Sequence, residues 1–376
     1  MLNSRLRAGG TDTQCLALAQ GLVEQGWEVE TAGPEAAPLA ALAPSLQGLP
    51  KFRPFQIFAL AGRLRRSRAR IVHAHHGDDY WTALLASRLV QPTPLVVFSR
   101  HLAKSPRSLL SRQHLFVRAD AVIAVSGFVA QVLREGHRDP ASPVAERHHR
   151  PSCRIDPRRL HIIHTGIDTR LFRPRDRAFT DSARRSLGLN PAETVFGAVG
   201  GFDLPVGKGQ RVLVRAARDV VRRLPKSKFL LAGTGTMADT LEADIRHHGL
   251  EGRVLLIGQQ PDPVALHHAL DILVHPQIAT EAFPSVVLEA HACGRPVIAS
   301  RLDGIPEAWA LGGLGHLVPA GDASELAATM IGQAEHSAPT EPERTAAHAR
   351  VDAEASLPVQ ARKVADLYRR LMAQRP

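Results

Sequence analysis

Three cysteines in 376 residues, Cys15, Cys153 and Cys293, are too few and too scattered for a disulfide framework or a CxxC zinc site. Aromatic residues reach only 5%, and no helix-turn-helix or stacking platform is visible, which argues against nucleic acid as a partner. No Asp-x-Asp pair occurs anywhere, so no metal held between carboxylates is expected. The arginines at the start are followed by no apolar leader, and no later run reaches bilayer length, so a cytoplasmic protein is expected. Low complexity is confined to the Arg- and His-rich stretch His137–Arg159, which reads as an inserted surface loop. Its neighbours His148 and His149 lack further ligands at metal spacing.

The 44% hydrophobic and 22% charged content is that of a globular chain, and the length exceeds what one hydrophobic core usually fills, so two domains are expected. The net charge of +11 is uneven. Residues 1–178 hold 26 Lys+Arg against 14 Asp+Glu, or +12, and the remaining 21 against 22 give −1. A basic first half suits an anionic partner such as a membrane surface or a lipid-linked phosphate.

Short apolar runs at Val29–Ala32, Ile71–Ala74, Leu95–Ser99 and Ala121–Val125 alternate with helical periodicity, the pattern of a parallel α/β sheet. After a linker, taken as roughly 174–193 and holding a polar helix near Asp181–Leu187, the pattern restarts. It runs strand Thr194–Val199, helix Gly209–Leu224, strands Phe229–Ala232, Val254–Ile257 and Ile272–His275, helix Ser285–Cys293 and strand Val297–Ala299. Beyond Glu335 the chain turns polar, and a last helix is expected near Pro358–Met372. The expected organisation is therefore an N-terminal domain over 1–175, a C-terminal domain over 193–350, and a helix over 356–374 packing back on the N-terminal domain.

Glycine turns and carboxylates sit where strands give way to helices. Gly207-Lys208-Gly209 opens a helix, so an ammonium and main-chain amides could meet a phosphate there. Glu281 and Glu289 flank the start of the helix at Ser285. Glu289 can accept from two ribose hydroxyls and Glu281 from sugar hydroxyls, while the plain alternative is two surface acids on a helix. Gly9-Gly10-Thr11 is another glycine turn at a helix start. His101 follows a strand, and a buried structural histidine reads equally well. The run Gly233-Thr234-Gly235-Thr236-Met237-Ala238 matches a dinucleotide fingerprint, but the next strand ends in Gly258-Gln259-Gln260 without the acid that a nicotinamide dinucleotide's ribose requires.

TEAFPSVVLEAHACGRPVIASRLDGIPEA, residues 280–308, resembles the signature of the retaining family 4, or group 1, glycosyltransferases. GKGQ at 207–210, FLLAGTG at 229–235, VLLIGQ at 254–259, IIHTGIDTRLFRP at 162–174, ADAVIAVS at 119–126 and RIVHAHH at 70–76 extend the likeness over nearly the whole chain. The resemblance implies an α/β fold of the GT-B type, with two Rossmann-like doubly wound domains facing a cleft. It implies a nucleotide-sugar donor held mainly by the second domain, an acceptor held by the first, retention of configuration, and no metal or other cofactor. Carried over by motif, Glu289 would hold the ribose, and Glu281 with Phe283, Pro284 and Ser285 the donor sugar and phosphates. Lys208 would meet the diphosphate, Gly9 and Gly10 would face it, and His101 would be the first-domain active-site histidine, with His101 and Glu281 as the catalytic pair.

Two departures stand out. Gly201 occupies the position of the family's phosphate-binding arginine, and only Met1-Leu2-Asn3-Ser4 precede the first glycine turn where a full strand is usual; an upstream start is the expectation. The function expected is transfer of a hexose-type sugar to a cell-envelope, lipid-linked or polysaccharide acceptor, by a protein peripheral to the inner face of the plasma membrane. Competing expectations are a nucleotide-sugar epimerase of the same fold and a non-catalytic relative that binds glycan or lipid.

Overall fold

The structure is a computed structural model that describes residues 1–4, 10–34, 46–49, 53–106, 108–137, 151–336 and 338–375. Gly9, Arg107, and most of the Arg- and His-rich stretch with His148 and His149 lie outside the described residues. The chain divides into two compact units. The first gathers residues 1–137, 151–166 and 356–375, and the second holds residues 167–355.

In the first unit, β1 (Thr31–Gly33) pairs with β2 (Leu46–Gly48), and β3 (Ile71–Ala74), β4 (Leu95–Arg100), β5 (Ala121–Ala124) and β6 (Leu160–Ile162) form a parallel sheet in that order. Every residue of β4 and β5 is buried, as expected of strands covered on both faces, which explains their unbroken apolar runs. Leu2 bridges Ala32 on one side and Ala74 on the other. The amide of Leu2 donates to the His73 carbonyl at 2.8 Å, and that of Asn3 to the Ala32 carbonyl at 3.0 Å. The opening residues thus occupy a strand slot between β1 and β3, with pairing partners on both edges.

The helix Leu357–Ala373 belongs to this unit. Val364, Ala365, Leu367 and Tyr368 join Leu18, Leu22, Val97 and Ile123 in one core cluster. Gly21 lets the helix Gly10–Glu24 cross it closely, because a Cβ there would lie 2.9 Å from that of Ala361. The Tyr368 hydroxyl meets Nδ1 of His73 at 2.5 Å, and Trp27 packs edge-on against the Tyr368 ring.

The second unit carries β7 (Thr194–Val199), β8 (Ser227–Ala232), β9 (Val254–Gly258), β10 (Ile272–His275), β11 (Val297–Ser300) and β12 (Gly315–Val318). The six are parallel in the order β12-β11-β10-β7-β8-β9. Chain order reverses between β7 and β10, so the loops leaving their carboxyl ends diverge and leave a crevice, the position where open α/β sheets bind ligands. Val212, Leu213, Ala216, Ala217 and Val220 bury the inner face of the helix Gln210–Arg223. The polar helix lies at Arg177–Ser186 and packs on the helix Pro263–Ala269.

Periodicity carries no sign of β2, β6 or β12, each only three or four residues long with little alternation. It also missed the helix Glu341–Ala355, whose buried stripe is only Ala347, Val351 and Ala355, too thin to register as a period.

Histidines are buried in both units. Burial, the first cause in each case, holds His73 and His75 well below the ordinary histidine value, and pushes His101, His275 and His291 down to about 4 and His268 to about 3. These groups are neutral when folded, whereas the unfolded chain takes up protons below about 6.5. The unfolded state therefore binds more protons in acid, and stability is full above that pH and lost as pH falls towards 4. The thermal midpoint should drop steeply between pH 6.5 and 4, each such histidine adding up to ~1.4 kcal/mol per pH unit; a flat midpoint over this range in a calorimetric series would contradict the burial.

Candidate functional site

The crevice of the second unit is built by glycines. Gly209 has φ 83° and caps the helix Gln210–Arg223, and any Cβ there would collide with the Pro276 carbonyl that follows β10. The loop after β7 can therefore reach the loop after β10 only with glycine at this position. Beneath it, the Gln210 side chain is buried. Its Oε1 accepts from the Lys208 amide at 2.8 Å, and its Nε2 donates to the carbonyls of Gly200 and Gly201 at 3.3 and 3.4 Å. The fingerprint glycines after β8 serve the same crowding. A Cβ on Gly233 would strike the Gly200 carbonyl, and one on Gly235 the Phe202 main chain. Backbone approaches backbone at those two positions, which gives this GxGxxA run a packing role.

Across the crevice, Lys208 Nζ lies 2.5 Å from Glu281 Oε2, with the lysine 37% and the glutamate 14% exposed. Burial alone would raise the Glu281 carboxyl. Lys208, His275 and the Ala282 amide, which donates to Glu281 Oε1 at 3.1 Å, outweigh burial and hold it below the usual carboxylate range. The Gly304 amide donates to the Glu281 carbonyl at 3.1 Å, and the Glu281 amide to Asp303 Oδ2 at 3.3 Å, so the turn after β11 fixes the backbone of this acid. Asp303 adopts φ 52°, uncommon for a non-glycine residue, to make that contact.

Phe283 and Pro284 are buried, and Ser285 is the first residue of the helix Ser285–Ala292. Glu289 stands one turn further on, where Oε2 lies 3.3 Å from Nε2 of the fully buried His267. The structure thus brings Lys208 and Glu281 into contact and gives Glu289 a separate partner. Sequence reasoning missed His267, Gln210, His275 and Asp303. A buried histidine on a helix or strand carries no spacing signal, although Gln210 lies inside the GKGQ match and Asp303 inside the 280–308 signature.

In the first unit Gly10 begins the helix Gly10–Glu24. Either side of residues 5–9, Asn3 Nδ2 donates to Asp12 Oδ1 at 2.9 Å, and the Ser4 amide donates to Asp79 Oδ2 at 2.9 Å. Burial raises the Asp79 carboxyl, against the lowering effect of Ser4. His101 follows β4, half-buried, with Nε2 3.3 Å from Nδ1 of His75. Burial first, then the Arg100 guanidinium and His76, bring His101 to about 4, so it is a neutral imidazole at neutral pH. Among the described residues, no three His, Cys, Asp or Glu side chains gather as a metal ion would require.

The crowding at Gly209 is open to a direct check. Gly209→Ala should lower stability by about 1–3 kcal/mol, through the clash and the left-handed backbone, and shift the thermal midpoint by several degrees. Gly201→Ala, where the nearest atom to a new Cβ is the Thr234 carbonyl oxygen at 3.5 Å, should stay near the parent.

Comparison with known proteins follows the same division of the chain. The family described as glycosyl transferases group 1 matches residues 193–335, and that described as glycosyltransferase family 4 matches residues 8–145. The chain is 30% identical over 371 residues to a D-inositol 3-phosphate glycosyltransferase of Mycobacterium sp. (strain KMS), covering 86% of this chain and 77% of that one. A glycosyltransferase from Rickettsia africae ESF-5 superposes with a TM-score of 0.83 at 18% identity, covering 99% and 98% of the two chains. HepE of Anabaena, in complex with UDP, superposes with a TM-score of 0.78 at 20% identity over 98% of each chain. Both structures share the fold of two parallel-sheet α/β domains, the GT-B architecture.

Proposed function

Because the chain belongs to the group 1, family 4 glycosyltransferases and is therefore a sugar-transferring enzyme, we propose that it moves a hexose-type sugar, with retention, from a nucleotide-diphosphate sugar to a cell-envelope, lipid-linked or polysaccharide acceptor. The observation that carries this reading is the Lys208–Glu281 pair across the crevice between β7 and β10. A diphosphate entering there exchanges for Glu281 as the partner of Lys208, which frees the carboxylate to accept from hydroxyls of the donor sugar. Leaving-group charge falls on Lys208 and on the main-chain amides at Phe283 and Ser285, which are offered at a helix start. Glu289, braced by His267, holds the ribose. In the first unit, Gly10 and His101, with Gly9 outside the described residues, are the proposed site residues carried over by motif. Uridine is the favoured base, since HepE is bound to UDP.

A second reading of the acceptor, a phosphorylated polyol, is favoured by the inositol phosphate relative and by the basic first half of the chain. Docking of that half on an anionic membrane at the cytoplasmic face is part of the first reading. Leu102, Leu109 and Leu110 are 50%, 62% and 60% exposed in the neighbourhood of Lys104 and Arg112, and Phe55 and Phe58 stand out from a helix that also carries Arg65 and Arg66. No described helix is long and apolar enough to cross a membrane.

Titration calorimetry against UDP-, GDP- and ADP-sugars should give binding of one donor, weakened at least tenfold in Lys208→Ala and in Glu289→Ala, with product of retained configuration by NMR; silence across the panel would favour a non-catalytic relative. At Gly201 an added Cβ meets only the Thr234 carbonyl oxygen at 3.5 Å, and Gly201→Arg should tighten the diphosphate about tenfold through one charge-assisted hydrogen bond. Sedimentation with anionic vesicles should be lost as salt rises and reduced in a Leu109→Ser, Leu110→Ser variant, whereas equal binding to neutral vesicles would contradict docking.

A further inference from the structure

His75 and His101 share a single hydrogen bond of 3.3 Å between Nδ1 of the first and Nε2 of the second, and its direction decides what His101 can do. Both rings are neutral at working pH: burial and the adjoining His73, His76 and Arg100 disfavour a second proton, and among nearby acids Asp78 pairs with His76 and Asp79 with the Ser4 amide. Two neutral imidazoles joined this way have one proton between them, so one ring donates and the other accepts. The His75 ring is held by its neighbours. Its amide donates to the Leu2 carbonyl, and the ring lies 4.2 Å, centroid to centroid, from His73, itself held by Ser99 and Tyr368. The other His75 nitrogen, Nε2, is buried and has no partner among the described residues. If His101 were the donor, His75 would carry its proton on that nitrogen and bury an orphan N–H, which folded proteins avoid more strictly than an unused acceptor.

We propose that His75 is a positioning residue that donates from Nδ1 to Nε2 of His101, so that His101 keeps its own proton on Nδ1 and offers an N–H donor instead of a basic lone pair. This rests on the reading of His101 as a residue that faces the reacting sugar. His101 then stabilises an oxygen that gains negative charge and abstracts no proton. The pH dependence of kcat/KM has no limb from His101 near 6.5, the ordinary histidine value.

The test reads the tautomer directly. In full-length protein labelled with 15N-histidine, the ring signals of His101, assigned by their loss in His101→Gln, should show a protonated Nδ1 and a bare Nε2. His75→Asn keeps a donor at the same place and should preserve that pattern, with transfer rate and pH profile near the parent. His75→Leu should move His101 towards the Nε2–H form and lower kcat about tenfold with little change in donor KM. His101 protonated at Nε2 in the parent, or unmoved in His75→Leu, overturns the proposal; should His75→Leu fail to fold, the parent and His75→Asn spectra still decide. An intact tautomer pattern in a protein that transfers no sugar would instead count against the functional reading, so the two failures are distinct.

Discussion

The second unit depends on one close approach, the Gly209 turn against the Pro276 carbonyl. A parallel sheet can gather side chains from distant parts of the chain only where neighbouring loops part, and here that happens between β7 and β10. The absence of a side chain at Gly209 lets the two loops come near enough for a lysine from one to reach a carboxylate from the other. Gln210, tucked below, replaces the solvent that the loop's amide and carbonyls would otherwise need. Steric absence and hydrogen bonding therefore act together, and the ion pair is their product.

The electrostatics of the two units rest on a common device. Histidine, half polar and half aromatic, is packed into cores where charge would be costly, with one or both ring nitrogens satisfied: His73 by Ser99 and Tyr368, His291 by the Leu314 carbonyl. A core built this way is rigid and directional at neutral pH and weak in acid.

Much of this was legible beforehand. The strands with unbroken apolar runs, the helix start at Ser285 and the positions of Lys208, Glu281 and Glu289 at sheet edges follow from periodicity and from glycine placement. What escaped was of two kinds. Strands of three or four residues such as β6 and β12 take their identity from a neighbour's edge, which only the folded chain supplies. Partners such as His267 for Glu289, or His75 for His101, are set by three-dimensional juxtaposition across 22 and 26 residues and leave no local pattern. The dinucleotide-like glycines show the converse: a sound reading of the residue type, since close backbone approach does occur, with another stretch of the same chain as the thing approached.

The bond between His73 and Tyr368 spans 295 residues, and around it the closing helix fills the core of the unit that the ribosome makes first. During synthesis the earliest sheet emerges with that face bare and must wait for the whole second unit to be translated before its cover arrives. The described residues of the second unit run from 167 to 355 and have no such delay. Order of synthesis and order of completion are therefore reversed in this protein, and the nascent first unit is a stage at which a chaperone has apolar surface to hold.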